Sequence, residues 1–269
     1  AAFDEPLTVS QLALMNACAS QAALALQRID LTERAIKSKQ FEQADKLKTA
    51  ILQAVSHDLR TPITIIKSSA SNLRQFHDQL SSQEEAEIAE TIETETDHLD
   101  KLVGNLLDMS RLQAGALSLN RRLYDLEEIA GDVAAQIWQR TRQERIKLIF
   151  PNDLPLVSFD YGLLRQAISN LVENSLRYEP PDSQIEIYGI LHKQDALLKI
   201  VNHGETISDT EKVDIMKPFY RGKDGHIGLG LPIAKGIIEA HQGQLLVEDT
   251  PGGGATFVIA LPLSQDEMT

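Results

Sequence analysis

Apolar side chains recur at Leu52, Val55, Leu59, Ile63, Ile66, Ala70 and Leu73, with gaps of three and four residues. That spacing puts them on one stripe of an α-helix. Pro62 sits inside the stripe, removes one backbone donor and is expected to bend the helix there. A polar stretch, 76–84, reads as a loop, and a second stripe follows at Ile88, Ile92, Leu99, Leu102, Leu106 and Met109, ending near Gly115. Upstream, 9–56 has almost no Gly or Pro and has the composition of a long helix. The two stripes predict a helical hairpin. A lone hairpin covers neither stripe well, so pairing with a second copy into a four-helix bundle is expected; the alternative is packing on its own C-terminal part.

After Leu119 the pattern becomes mixed α and β. Strands are expected at 145–150, 184–190, 196–201, 244–248 and 256–261, from their β-branched and apolar content. Helices are expected at about 123–143, 159–178, 209–216 and 229–241, with Pro and Gly marking the connections. The fold class is therefore α+β: a helical hairpin followed by an α/β sandwich. Boundaries fall at 1–46, 47–119 and 120–269.

A chain of 269 residues holds about two domains. Its 42% hydrophobic and 24% charged residues suit a globular protein with a core. The formal net charge of −13 argues against nucleic acid or an anionic membrane surface as partner. The single cysteine, Cys18, excludes an internal disulfide. No apolar run is long enough to span a membrane, so no membrane contact and a cytoplasmic location are expected. The start at Ala1-Ala2 reads as a fragment of a longer protein.

The chemistry concentrates in short segments. In Ser56-His57-Asp58-Leu59-Arg60-Thr61-Pro62, Asp58 can hold the His57 imidazole so that one ring nitrogen is free to attack. Thr61, one turn later, lies on the same face and can place a hydroxyl or a water beside it. Asn170 and Asn174 share a helix face; amide oxygens suit magnesium, although such pairs are more often solvated surface. Arg177 can reach a phosphate and Tyr178 can lie against a base. Asn202-His203-Gly204-Glu205-Thr206-Ile207 leaves a strand with a polar side chain able to read a purine edge. Gly225-His226-Ile227-Gly228-Leu229-Gly230-Leu231 opens a helix, where backbone N–H groups can approach phosphates. Gly252-Gly253-Gly254-Ala255-Thr256 fits a tight turn before the last strand.

In this order the segments resemble the five boxes of sensor histidine kinases. Ser56–Pro62 looks like the H-box, Asn170–Tyr178 the N-box and Asn202–Ile207 the first glycine box. Pro218-Phe219-Tyr220-Arg221 resembles the F-box and Gly228–Leu231 the second glycine box. The run Ser20–Leu26 resembles the end of a GAF domain feeding a KdpD-like kinase. The resemblance implies a signalling helix at 1–46, a dimerisation and histidine phosphotransfer domain at 47–119, and an ATP-binding catalytic domain of the GHKL or Bergerat type at 120–269.

It implies a homodimer that uses ATP and Mg2+, with His57 as phosphoacceptor and Asp58 as its acid–base partner. Asn174 would hold the metal, and Asn170, Arg177, Tyr178, Asn202, Gly204, Gly228, Gly230, Leu231 and Thr256 would line the nucleotide. The phosphoryl group would move on to an aspartate of a response regulator receiver domain, and Thr61 would align water for dephosphorylating that partner. Departures favour a second reading, a degenerate scaffold. The family usually has Asp where Asn202 stands and Gly where Thr206 stands; His226 and Ile227 replace Gly and Ser or Thr. The segment between Arg221 and Gly228 is short. A chaperone or mismatch-repair ATPase is argued against by the hairpin ahead of the nucleotide domain. The histidines at 77, 98, 192, 203 and 241 lack metal-ligand spacing. Trp138, Phe150 and Phe257 read as core, and the acids at 84–97 as a solvated face.

Overall fold

Period-two alternation and 3.6-residue stripes meet in one apolar layer. In β4 (Ile185–His192) and β5 (Asp195–Val201), Ile185, Ile187, Ala196, Leu198 and Ile200 are buried while their neighbours are less so. The computed structural model describes residues 55–76, 78–115, 117–220 and 228–263, with positions 21 and 27. The expected N-terminal helix, Cys18, Leu52, His77 and the segment Arg221–Ile227 lie outside the described residues.

Helix α1 covers 55–76 and runs through the buried Pro62 without interruption. Helix α2 is Ser82–Gln113, so the expected loop over 76–84 is shorter than its polarity predicted. Ser81 caps α2: its hydroxyl accepts the Glu84 N–H at 3.3 Å, and Glu84 reaches back to the Ser81 N–H at 2.8 Å. The backbone and side-chain hydrogen bonds to Ser81 hold the Glu84 carboxyl below the usual range. Gly115, at φ 62, follows the helix end.

Beyond it come β1 (Arg122–Tyr124), α3 (Leu126–Thr141), β2 (Ile146–Ile149), β3 (Val157–Phe159) and α4 (Tyr161–Tyr178). After β4 and β5 follow α5 (Asp209–Asp214), α6 (Gly230–Ala240), β6 (Gln244–Asp249) and β7 (Ala255–Pro262). All five expected strands form one sheet in the order β2-β4-β5-β7-β6, with β2 parallel to β4 and the other pairs antiparallel. The short pair β1–β3 was not foreseen; β1 occupies the start of the expected helix at 123. Helices α3, α4 and α6 bury Ile129, Val133, Leu164, Ile168, Leu171, Ile233 and Ile237 in the same cluster as the sheet. This is the sandwich that the pattern predicted. No described helix is long and apolar enough to cross a membrane.

One expectation changes. Trp138 is not core: it is 45% exposed, with the Arg142 guanidinium 5.2 Å from its ring. The second half of α2 packs on its own C-terminal part, through buried Leu102 and partly buried Leu106, Met109 and Leu112, whereas Val103 (47%) and Leu107 (55%) stay exposed. Gly236 on α6 makes room for this seam: a Cβ there would meet Leu112 at 2.9 Å. Phe257 is core as expected, and Phe150 is partly buried against the core cluster. His241 is also core.

Candidate functional site

On α1 the His57 side chain is 75% exposed, and its Nδ1 lies 2.8 Å from Asp58 Oδ1. With the carboxylate oxygen as acceptor, Nδ1 carries the proton of the neutral ring, which leaves the lone pair on Nε2 of this largely exposed side chain. Thr61 Oγ1 donates to the His57 carbonyl at 3.5 Å, a bond long enough to exchange for water.

The second cluster gathers at one end of α4, the β5–α5 loop, the β6–β7 turn and the start of α6. Asn170 is 8% exposed, and its Nδ2 is buried without a hydrogen-bond partner. It faces Gly230, whose Cβ would stand 3.8 Å from Asn170 Cβ. Leu229 leads into α6, and its apolar side chain offers no acceptor to the first N–H groups there. Asn174 lies one turn after Asn170 and is partly exposed. Arg177 is exposed on the last turn of α4, and Tyr178 is 38% exposed.

Three glycines let backbones close on this cluster. A Cβ at Gly204 would meet the Tyr178 carbonyl oxygen at 2.0 Å. One at Gly228 would meet the Tyr220 carbonyl oxygen at 2.1 Å, and one at Gly254 the Asn202 carbonyl oxygen at 2.1 Å. Gly228 and Gly254 also have φ of 69 and 106 degrees, so both geometry and space demand glycine. The Phe219 N–H donates to the Gly228 carbonyl at 3.0 Å, which ties the two box-like segments together.

Asn202 is 3% exposed. Its Oδ1 accepts the Ala255 N–H at 2.7 Å and its Nδ2 donates to the Ser175 carbonyl at 3.3 Å. The carbonyl expected to be open to an adenine amino group therefore already holds one backbone donor. Thr206 Oγ1 accepts the Gly254 N–H at 3.4 Å, so the departure at 206 joins the loop to the glycine turn. Thr256 is buried, with its hydroxyl 2.9 Å from Thr250 Oγ1, and Leu231 is partly buried on α6.

Glu179 was not singled out from sequence. Its side chain is wholly buried, accepts the His203 N–H at 2.7 Å and lies 3.1 Å from His203 Nδ1. The pairing spans 24 residues, so only the weak cue of a Glu just past a helix end was available.

Residues 47–115 match the His Kinase A (phospho-acceptor) domain. Residues 159–265 match the histidine kinase-, DNA gyrase B- and HSP90-like ATPase model. The chain belongs to the sensor histidine kinase family. It is 34% identical over 263 residues to the sensor protein KdpD of Mycobacterium tuberculosis (strain ATCC 25618 / H37Rv), covering 94% of this chain and 30% of that protein. The chain thus spans about 30% of the length of this curated relative. Two solved structures share the fold. Acinetobacter baumannii histidine kinase AdeS aligns with a TM-score of 0.62 and 24% identity, over 78% of this chain and 98% of that one. Histidine kinase ThkA in complex with response regulator protein TrrA aligns with a TM-score of 0.59 and 23% identity, over 79% of this chain and 61% of that one. In this kinase fold, the cluster around Asn170 belongs to the ATPase part and His57 to the phosphoacceptor part.

Proposed function

We propose that this chain autophosphorylates His57 from ATP and passes the phosphoryl group to an aspartate of a response regulator receiver domain. The observation that carries the reading is the exposed His57 imidazole, oriented through Nδ1 by Asp58. The Nε2 lone pair attacks the γ-phosphorus; the Nε2–P bond forms as the bond to the bridging oxygen breaks, and that electron pair leaves with ADP. The Nδ1–H bond to Asp58 then stabilises the imidazolium. On this reading 47–119 is the phosphotransfer part and 120–269 the catalytic part.

The ATP site is the cluster of Asn170, Asn174, Arg177, Tyr178, Asn202, Gly204, Gly228, Gly230 and Leu231, with Thr256 holding the strand beneath it. The buried, unpartnered Asn170 Nδ2 and the uncapped start of α6 supply donors for phosphate oxygens. Mg2+ fits as well: the Asn174 oxygen is a hard ligand of the type it takes when phosphates and waters complete the shell, and it would neutralise phosphate charge. Thr61, exposed and loosely bonded, aligns the water that dephosphorylates the partner. Exposed Ile63, Val103 and Leu107 on α1 and α2 support a homodimer, because four helices would cover them. Use of ATP places this part of the protein in the cytoplasm.

The second reading is a scaffold without catalysis, favoured by the engaged Asn202 amide and the Thr206 tether. Titration with ATP, with and without magnesium, separates them. Binding that weakens without magnesium and in Asn174→Ala is expected; absence of binding by the folded protein favours the scaffold.

A further inference from the structure

We infer that Glu179 is a positioning residue for the nucleotide: through His203 it fixes the β5–α5 loop against the end of α4, whichever charge that ring carries. The inference rests on the nucleotide-site reading above. Glu179 has left helical geometry with φ −74 and ψ 131, the conformation a residue before proline prefers. Arg145 ties down the backbone there: its Nη2 donates to the Glu179 carbonyl at 3.3 Å and to the Pro180 carbonyl at 2.8 Å. The Glu179 side chain is wholly buried, so its carboxylate depends on the donors it meets inside. One oxygen accepts the His203 N–H at 2.7 Å, and the other lies 3.1 Å from His203 Nδ1. The loop held this way has no slack. No Cβ fits between Gly204 and the Tyr178 carbonyl, and a Cβ at Gly254 would meet His203 Cα at 2.8 Å. One carboxylate thus sets His203 and Gly204 between the end of α4 and the β6–β7 turn, two sides of the candidate nucleotide cluster.

The clamp is indifferent to protonation of His203. A carboxylate only accepts, and Nδ1 donates both in the neutral ring bonded to it and in the imidazolium, so both bonds persist when the ring titrates. The surrounding charges do not oppose this. Glu186 of β4 feels the His203 charge; its carboxyl is held below the usual range by the Tyr188 hydroxyl first, against burial, and then by Lys147 and His203. Glu205 stands two residues on in the same loop, and Arg145 lies on the backbone side of Glu179. An amide at 179 lacks the indifference. Its oxygen accepts the backbone N–H, and its NH2 then needs a lone pair on Nδ1, which only the neutral ring with its proton on Nε2 offers. In the imidazolium two donors meet, and the loop loses its hold.

The test is a titration of this protein with ATP and magnesium at about pH 8 and about pH 5.5, which bracket the ordinary histidine range. Glu179→Ala, Glu179→Gln and the double variant Glu179→Gln/His203→Ala are titrated beside it. Dividing each Kd by the wild-type value at the same pH removes the titration of the nucleotide itself. At the higher pH, Glu179→Gln should bind within about threefold of wild type and Glu179→Ala about tenfold more weakly. At the lower pH the Glu179→Gln ratio should rise by at least about tenfold, whereas the double variant, without the titrating ring, should show no such rise. Unweakened binding by Glu179→Ala, a Glu179→Gln ratio that does not move with pH, or the same rise in the double variant overturns the proposal. Melting curves at both pH values check folding; a variant that unfolds at the lower pH leaves the Ala–Gln contrast at the higher pH to decide. Failure of the wild type to bind ATP at either pH would overturn the nucleotide-site reading itself, and this inference with it.

Discussion

Lys101 on α2 forms an ion pair with Glu173 on α4, and Glu173 lies between Asn170 and Asn174 on that helix. Arg140 of α3 reaches the same carboxylate at 3.3 Å. The helix that carries the candidate metal and phosphate ligands is thus tied to the hairpin and to α3 at one residue.

The ion pair is not what holds α2 in place. Lys101 is 43% and Glu173 22% exposed, so the pair is worth about 0.2–1 kcal/mol and fades with salt. Leu102, 6% exposed, should cost about 2–5 kcal/mol when cut to Ala. Thermal unfolding of Lys101→Glu, Glu173→Lys and the double variant should give a coupling several times smaller than the Leu102→Ala loss. A coupling as large as that loss would contradict the ordering.

Gly204 and Gly230 should respond oppositely to Ala. At Gly204 the added carbon would meet backbone at 2.0 Å, and a carbonyl cannot swing away as a side chain can. A loss of about 1–3 kcal/mol and weakened ATP binding are expected. At Gly230 the nearest atom would lie 3.8 Å away, so Ala fits and the melting temperature should not fall. Equal effects in a melting experiment would contradict this.

Glu179→Ala would strand the His203 N–H and cost about 1–3 kcal/mol. Glu179→Gln keeps one acceptor oxygen and should recover most of it. Comparable melting temperatures for the two variants would show that the carboxylate does not organise the loop.

His241 makes stability pH-dependent. It is 1% exposed; Nε2 accepts the Asp160 N–H at 2.9 Å, and Nδ1 donates to the Ile237 carbonyl at 2.8 Å. Burial pushes its pKa down, as does the nearby Arg121 charge, against the opposing Ile237 bond and Asp160 charge. The folded pKa therefore lies below the unfolded value of about 6.5. The unfolded chain binds the extra proton, so this contribution is complete above about pH 6.5 and is lost as pH falls through the folded pKa. Denaturant midpoints should drop below about pH 6.5 in wild type and follow a shallower slope in His241→Leu. Parallel slopes would exclude His241 as the cause.

The sheet and the C-terminal helices were legible because period-two and period-3.6 patterns are local. The start of α2 was legible too, as Ser81-Ser82-Gln83-Glu84, but polarity outweighed the capping signature. Trp138 misled because size argued for burial, whereas its helix position faces outward under Arg142. The site residues were recognisable by type and order. What they bond was not: Asn202 reaches 53 residues to Ala255 and 27 to Ser175, contacts fixed only by the fold.

Phosphorylation of His57 is the most direct test of the account. The protein and His57→Gln are incubated with magnesium and γ-labelled ATP, and the label is followed in acid and alkali. Acid-labile, alkali-stable label on the wild type and none on the variant is the predicted result. Equal label on both, or none on a folded wild type that binds ATP, would contradict it.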